Sequence, residues 1–361
     1  MMKISVYKSY EQIDEELRLK LENKFLRTSE YSKEWFLFLE NNLLGYEPLY
    51  FIGGEEDDVD FFSTGFIARK LNVANYLSNK PKAMFDWLDK YLINPLKFNV
   101  VFIKNPLSNF EGIHSSKQDK LSEFIRECKN YIYHVLKFDS IFIGNVGDAQ
   151  LNAGITEAEF IKIPYYPNTL LSTDFTTFDE YLLSVKKKKR WDIKNKIKTM
   201  HQYGASIEVV NSINHQESER IYELYNNTAE RGDASPYPII YSKSSFGQWD
   251  GMGESYKWIL VKFQSKIIAF AMVVKEGNSL LFKHVGMDYE HSTQCFAYFN
   301  LYYEAIRLAI EENFQSMYCG PTTYETKKSL GCQLVELNAY LSVKNFFLEK
   351  AMGKVLTKAF K

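Results

Sequence analysis

The order of strand-like and helix-like runs constrains this chain more than any other feature. Short runs rich in β-branched and aromatic residues alternate with longer runs of helical period from end to end, and no Pro/Gly/Ser-rich linker interrupts them. This alternation is typical of sheets flanked by helices. Because 361 residues exceed what one hydrophobic core usually serves, it predicts two abutting domains.

The second half of the chain repeats the element order of the first. Predicted elements of the first half are the strand "KISVYKS", helices at about 10–24 and over "KEWFLFLENNLL", strands "EPLYFIGG" and "DFFSTGFIARKL", a helix over 81–92, the strand "FNVVFIKN", a helix over 117–136 and the strand "DSIFIGN". Those of the second half are the strand "ASIEVVNS", the helix "HQESERIYELYNNTAERG", hairpin strands over 256–290, the helix "FNLYYEAIRLAIEEN" and the strand "SMYCG".

Two local similarities support a duplication. "FDSIFIG" at 138–144 parallels "FQSMYCG" at 314–320, and "VYKS" at 6–9 parallels "VVNS" at 209–212. Such short matches gain weight because the element order agrees with them. We therefore expect the two halves to superpose, with "FDSIFIG" lying on "FQSMYCG".

The joint between the halves is predicted near "KIPYYPNTLLSTDF". Two prolines interrupt the chain there, and "STDFTTFDEYL" then supplies the Ser, Thr and Asp residues that start helices. We accordingly predict domains over 1–165 and 166–361. The expected fold class is α/β (mixed α+β), each domain having a mixed, mainly antiparallel central sheet flanked by helices.

The charge balance limits what the chain binds. Lys and Arg number 44 against 45 Asp and Glu, so the molecule as a whole does not attract nucleic acid, and no DNA partner is expected. Any site for a polyanion must therefore be local.

The cysteines and the longest apolar run suggest the compartment. Cys128, Cys295, Cys319 and Cys332 form no C-x-x-C pair and have no accompanying histidine spacing, so neither a metal site nor a disulfide framework is predicted. The run "IIAFAMVV" at 267–274 is too short to span a bilayer. We expect a cytoplasmic protein without a membrane span.

The densest charge cluster is the run from Lys186 to Arg190, continued by three more lysines before residue 199. Clustered Lys and Arg attract phosphate-rich ligands such as a coenzyme A pyrophosphate or the acceptor end of a tRNA. Lys187, Lys188 and Arg190 are therefore predicted to bind donor or acceptor phosphates. A solvated helix face is the alternative.

A second candidate lies in the hairpin "KIIAFAMVVKEGNSLLFKHVGMDYE". By strand alternation His284 and Asp288 share one face, where they could accept a proton from an incoming amine. A histidine with a purely structural role is the alternative.

Two longer stretches carry a family resemblance. "FDEYLLSVKKKKRWDIKNKIKTM" and "YFNLYYEAIRLAIEENFQSMYCGPTTYETKKSLGCQLVELNAYL" resemble the FemAB-like branch of the GNAT superfamily of acyltransferases, over residues 174–341. In that branch a tyrosine, a lysine three residues later and a Leu-Gly pair precede the final strand. Tyr324, Lys327, Leu330 and Gly331 reproduce this pattern.

The resemblance implies two tandem GNAT-like domains and assigns roles to residues. Lys327 would stabilise the oxyanion of a tetrahedral intermediate. Tyr324 would line the substrate channel or act as a hydroxyl donor in catalysis. Tyr302 would line the same channel, and Tyr298 and Asn300 join Tyr302 in binding substrate or cofactor. We expect Lys327→Met to leave stability almost unchanged; the alternative for Lys327 is a solvated loop lysine.

The resemblance also implies a reaction, namely transfer of an acyl group from acyl-CoA to a small-molecule amine without a metal. One departure affects the donor: the stretch "MDYEHSTQCFAYFNLYY" lacks the glycine-containing coenzyme A loop of simple GNAT enzymes. An aminoacyl-tRNA-dependent ligase and a non-catalytic duplicated GNAT-fold binding protein are therefore the alternatives.

Overall fold

The computed structural model describes residues 2–55, 58–72, 97–231 and 240–359. Within these ranges the chain has a mixed α/β fold built on two large sheets with helices packed against them, as the sequence predicted. The predicted helix over 81–92 lies outside the described residues.

The elements are numbered here in chain order. The strands are β1 (Lys3–Tyr7), β2 (Leu43–Leu44), β3 (Pro48–Gly54), β4 (Phe61–Asn72), β5 (Lys97–Ile103), β6 (Ile113–Ser115), β7 (Ser140–Val146), β8 (Ile161–Pro164), β9 (Asn168–Ser172), β10 (Ala205–Val210), β11 (Ile240–Tyr241), β12 (Tyr256–Phe263), β13 (Lys266–Glu276), β14 (Ser279–Met287), β15 (Ser316–Tyr318), β16 (Gln333–Val335) and β17 (Asn338–Val343). The helices are α1 (Glu15–Lys24), α2 (Lys33–Asn42), α3 (Leu121–Asn130), α4 (Ala149–Glu157), α5 (Phe178–Ser184), α6 (Lys187–Gln202), α7 (His215–Arg231), α8 (Ser245–Gln248), α9 (Tyr289–Ser292), α10 (Ala297–Glu311), α11 (Tyr324–Leu330) and α12 (Phe346–Ala359).

The two large sheets have the same arrangement of strands. The first has the order β1-β3-β4-β5-β7-β17-β8, with β6 beside β4, and the second has the order β10-β12-β13-β14-β15-β9-β16. In each order the fifth strand is parallel to the fourth and the other neighbours are antiparallel. β7 and β15, which hold the strands of "FDSIFIG" and "FQSMYCG", are both fifth. This confirms the predicted duplication.

The two repeats, β1 to β9 and β10 to β17, also exchange their last strands. β9 follows β8 in the chain but pairs with β15 and β16 in the second sheet. Likewise β17 follows β16 but pairs with β7 and β8 in the first sheet. The boundary at 165/166 stays a prediction, but separating two units there would break the backbone hydrogen bonds of β17.

Helix-start chemistry appears where the sequence predicted it. Thr177 precedes α5 and its Oγ1 accepts a hydrogen bond from the backbone N–H of Glu180 at 3.2 Å. This bond satisfies one of the donors that the first turn of a helix leaves unpaired. Helices α4, α8, α9, α11 and α12 had no counterpart in the sequence predictions. No helix of the described ranges combines the length and the apolar character needed to cross a membrane.

A buried ion pair joins the two halves. Glu30, between α1 and α2, binds Lys283 of β14, and their side chains are 0% and 3% exposed. The Glu30 carboxylate also accepts hydrogen bonds from Ser108 Oγ at 2.6 Å and the Asn109 N–H at 3.2 Å, while the Lys283 amine donates to the Leu107 carbonyl. Both charges are therefore solvated by protein groups instead of water.

Candidate active site between two diverging strands

The candidate site lies where β14 and β15 separate. The two strands pair over only three residues, Ser279–Leu281 with Ser316–Tyr318, after which β14 continues to Met287. In α/β folds the carboxyl ends of neighbouring parallel strands are a common place for ligands. The segment 319–323 and the first turn of α10 border this opening.

Several residues of these bordering segments have a left-handed backbone. Thr322 and Thr323 have φ angles of 69° and 46°, Gly320 has 74°, and Phe296, just before α10, has 53°. A positive φ is a real outlier for β-branched threonine. Such strain persists only where the surroundings impose it, and it clusters at functional sites.

Lys327 holds the strained segment in place. Its side chain is only 2% exposed, and its ammonium donates to the carbonyls of Gly320 at 3.0 Å and Pro321 at 2.8 Å. Because an ammonium has three donors, one more hydrogen bond is available. The alternative of a solvated loop lysine is wrong, since Lys327 lies on α11 and is buried.

The surroundings of Lys327 change its acidity. Burial lowers the pKa of its amine to about 8, and the nearby thiols of Cys319 and Cys332 oppose this shift. The two sulfur atoms are 3.7 Å apart. A lysine with a pKa near 8 exists in both protonation states over the working range of most enzymes.

The Leu-Gly pair of the motif has a structural explanation. Leu330 is fully buried and ends α11, and Gly331 follows with a φ of 100°. The N–H of Cys332 then bonds to the carbonyl of Lys327 at 3.0 Å, which closes the helix in the manner that favours glycine. The pair thus fixes the end of the helix that carries Lys327.

Three predicted tyrosines surround the same opening. Tyr298 Oη lies 3.2 Å from Thr323 Oγ1, and its ring meets that of Tyr302 edge-on at 5.2 Å. Tyr302 is buried and stacks on Phe282 at 4.1 Å. Tyr324 Oη donates to the Pro167 carbonyl at 3.0 Å. Tyr298 is therefore the one that links the first turn of α10 to the strained segment.

Asn300 has a supporting position. It is buried, and its Nδ2 donates to the carbonyls of Cys295 at 3.2 Å and Phe296 at 3.1 Å, with a longer contact of 3.4 Å to that of Lys196. These bonds tie the strained turn before α10 to helix α6. The side-chain N–H groups of Asn300, which was predicted to bind substrate or cofactor, thus already donate to protein carbonyls.

His284 lies in an aromatic cluster between the halves and not at the opening. Its Nε2 is 2.7 Å from Tyr241 Oη, and the rings of Tyr225, Phe246 and Trp249 surround it. Burial, assisted by the charge of Lys283, lowers its pKa to about 3. The imidazole is therefore neutral at physiological pH.

Asp288 has different partners. Its Oδ2 lies 3.0 Å from Arg220 Nη2 and 3.3 Å from His291 Nδ1, and its Oδ1 accepts from the Glu290 N–H at 3.1 Å. Burial raises its pKa, but these bonds outweigh burial and the net pKa is lowered. Four residues of extended chain, about 13 Å, separate it from His284. The structure therefore does not bring the predicted proton-accepting pair together.

One group of side chains near Asp288 has metal-ligand chemistry. Ligand atoms of Asp288, Glu290 and His291 all lie within 4.8 Å of one another. The guanidinium of Arg220, however, already binds Asp288 Oδ2. This cluster also borders a cleft of about 610 Å³ between the start of α7 and the turn joining β12 to β13.

The basic helix α6 divides into two faces. Lys187 and Lys188 are exposed in its first turn, and Lys194 and Lys198 continue the same solvent-facing side. Arg190, in contrast, donates from Nε to the Leu182 carbonyl at 2.7 Å and so supports the end of α5. The predicted phosphate role thus fits the exposure of Lys187 and Lys188 better than that of Arg190.

The inner face of α6 faces the candidate site, which the sequence analysis missed. Lys189 and Lys196 bind Asp192 at 3.1 and 2.6 Å, and the Lys196 amine lies 4.2 Å from the ring centroid of Phe299 on α10. The spacing of Asp192 three residues after Lys189 and four before Lys196 was the signal that could have revealed this face.

Comparisons with known proteins place these features in a family context. The model of the FemAB-like family, described as peptidoglycan biosynthesis/recognition, matches residues 113–359. A search of the curated proteins found no match.

Several solved structures share the fold. The crystal structure of FemX is 12% identical, with a TM-score of 0.60, and the match covers 97% of this chain and 100% of that one. L-PGS from Bacillus licheniformis is 10% identical, with a TM-score of 0.57 and coverages of 96% and 97%. A tandem GNAT protein from the clavulanic acid biosynthesis pathway is 9% identical, with a TM-score of 0.53 and coverages of 95% and 99%. At these identities the likeness concerns the fold, and it confirms the tandem GNAT arrangement.

Proposed function

The chain belongs to the FemAB-like family, and we propose that it transfers an aminoacyl group from an activated ester to the amine of a peptidoglycan precursor. The observation that carries this proposal is Lys327, a buried ammonium with one unused donor beside a strained segment at the diverging strands. A positive donor held in a dry site stabilises negative charge that develops on a carbonyl oxygen.

The proposed reaction needs no covalent enzyme intermediate. The amine nitrogen of the acceptor attacks the ester carbonyl, a C–N bond forms, and the carbonyl oxygen becomes an oxyanion that accepts a hydrogen bond from Lys327. Collapse of this intermediate breaks the ester C–O bond, and the proton lost by the amine passes to the departing oxygen. Tyr298 and Tyr302 shape the channel beside Lys327.

Two features favour an aminoacyl-tRNA donor over acyl-CoA. The segment before α10 carries the carboxylates of Asp288 and Glu290 and no glycine, so a coenzyme A pyrophosphate would meet negative charge there. The exposed lysines of α6 lie on a helix that packs along α10, and they suit the phosphates of an RNA. Acyl-CoA is the second candidate donor, because the fold is that of tandem GNAT proteins.

Direct assays separate the candidates. The protein is incubated with a soluble peptidoglycan precursor that bears a free amine, together with either charged tRNA or acyl-CoA. The mass of the precursor is then measured by mass spectrometry. We expect a gain of one amino-acid residue with charged tRNA only. A gain with acyl-CoA only would establish the second candidate. No product with either donor, together with no thermal stabilisation by either, would favour a binding protein.

The lysines of α6 give a quantitative prediction. Changing Lys187, Lys188, Lys194 and Lys198 together to Gln should lower the affinity for tRNA and reduce the slope of log K against log salt by about 3, since each neutralised phosphate contributes roughly 0.7 on single-stranded RNA. Arg190 is left unchanged because it supports α5. The matched control replaces four other exposed lysines, Lys3, Lys8, Lys33 and Lys162. Equal salt slopes for the two variants would mean that the lysines of α6 do not bind tRNA and form a solvated helix face.

The pH dependence distinguishes two roles of Lys327. Its pKa is lowered to about 8, and only the ammonium form can stabilise an oxyanion, so its contribution should decline as the pH rises through 8. The readout is the ratio of wild-type to Lys327→Met turnover between pH 6 and 10, which cancels the titration of the acceptor amine. A ratio that rises through pH 8 would identify the neutral amine as the active form, and hence a proton acceptor.

A further inference from the structure

An apolar surface lies at the start of α12. Phe346, Phe347 and Leu348 are 58%, 81% and 41% exposed, and the two phenyl rings contact each other edge-on at 5.9 Å. Val135, 60% exposed, belongs to a single π-helical turn that follows α3. We call these four residues the aromatic patch.

The two parts of the aromatic patch are neighbours. Lys344 connects them, because its backbone N–H donates to the Asp139 carbonyl at 2.9 Å and its amine donates to the Tyr133 carbonyl at 3.4 Å. Taking roughly 200 Å² per phenylalanine, the two rings alone expose about 280 Å². With Leu348 and Val135 added, the patch reaches the roughly 300–600 Å² of the largest apolar patch on a typical monomer, which is often functional.

The opposite side of α12 is already used. Met352 is buried in the core of the first sheet, and Gly353 lies against Ile161 of β8. The helix therefore keeps its position through its later turns, while its first turn projects the aromatic patch away from the sheet.

Positive charge surrounds the aromatic patch. Lys137, Lys344, Lys350 and Lys354 are all exposed, and the Lys350 amine lies 4.3 Å from the ring centroid of Phe346. Asp139 is an exposed carboxylate beside them. Glu349, in the first turn of α12, turns inward and accepts hydrogen bonds from the Val343 N–H and Ser342 Oγ.

We propose that the aromatic patch docks the protein onto the surface of an anionic lipid bilayer. Phenylalanine rings enter the boundary between headgroups and acyl chains, and surrounding lysines remain with the anionic headgroups. The lysines around the aromatic patch favour a bilayer over a second copy of the chain as the binding partner, because two copies that meet at the patch would bring like charges together. The proposal is independent of the transferase assignment, since it concerns location and not chemistry.

Vesicle sedimentation tests the proposal with the full chain. Vesicles of phosphatidylcholine with 30% phosphatidylglycerol should bind the protein, whereas phosphatidylcholine alone should bind it at least tenfold more weakly. Changing Phe346 and Phe347 together to Ser should reduce binding more than tenfold. Changing Lys350 and Lys354 to Gln should reduce it on the order of fivefold per lysine.

Controls separate membrane binding from misfolding and self-association. Leu19→Ser on α1 removes a leucine that is 54% exposed and should leave vesicle binding unchanged. Thermal unfolding should be the same for the phenylalanine variants, because exposed rings add little stability. Light scattering should report a concentration-independent mass. Equal binding of wild type and Phe variants to anionic vesicles, or a dimer that those variants disrupt, would overturn the proposal.

Discussion

Replacing Lys327 with methionine is expected to lower turnover about 100-fold to 1,000-fold, the usual effect of removing one oxyanion donor. Methionine keeps much of the side-chain volume but offers no donor, so the developing negative charge would meet only apolar atoms. Donor binding should persist, because Lys187, Lys188 and the channel tyrosines are unaffected. The measurement is single-turnover transfer at saturating donor, together with the donor affinity.

The same substitution should also cost stability, contrary to the expectation from the sequence. The Gly320 and Pro321 carbonyls would lose the ammonium that binds them, and an unsatisfied buried group costs about 1–3 kcal/mol. Relief from burying a charge offsets part of this loss, so we expect a net destabilisation of about 1–3 kcal/mol. Assays should therefore run well below the melting temperature of the variant.

Lys328→Met is the matched control. Lys328 lies one position further along α11 but is exposed, and its amine contacts Glu325 at 3.4 Å. Surface pairs of this kind contribute little, so neither turnover nor stability should change appreciably. Similar small losses of turnover at both positions would mean that the Tyr324–Gly331 motif serves only to build α11.

The repeated architecture could be predicted because short sequence patterns and the order of elements recur in the two halves. β7 and β15 follow helices and have similar sequences, and both occupy the fifth position of their sheets. The exchange of β9 and β17 could not be predicted in this way. The strand "NAYLSV" is buried on both faces, and a buried apolar run of this kind does not specify which sheet it joins.

The candidate site was predictable only in part. Family resemblance located Lys327, but its partners are backbone carbonyls, which carry no side-chain signature. The strained conformation of Thr322 and Thr323 is likewise invisible in "CGPTTY", where Gly-Pro signals only a turn. The proton-accepting role predicted for His284 was not supported because strand alternation gives the face on which a residue lies but not what packs against that face. Here an aromatic cluster that includes Tyr241 packs against His284.

Lys283→Met should destabilise the protein by about 3–5 kcal/mol, the usual cost of leaving one member of a buried ion pair without its partner. The Glu30 carboxylate, 0% exposed, would keep its hydrogen bonds from Ser108 and Asn109 but lose the only cation that contacts it among the described residues. Chemical denaturation measures the effect. Lys243→Met supplies a control, because Lys243 and its partner Glu219 are 71% and 48% exposed and such a pair contributes less than about 1 kcal/mol.

A double variant tests whether charge or shape explains the loss. Glu30→Gln combined with Lys283→Met removes both charges while an amide keeps the bond to Ser108, so much of the stability should return, as in other buried pairs replaced together. Because Glu30 precedes α2 and Lys283 lies on β14, a lost pair weakens the contact between the halves. The exchanged strands oppose their separation, so Lys283→Met should still unfold in one cooperative transition. Two resolved transitions would show that the ion pair, and not strand exchange, couples the halves.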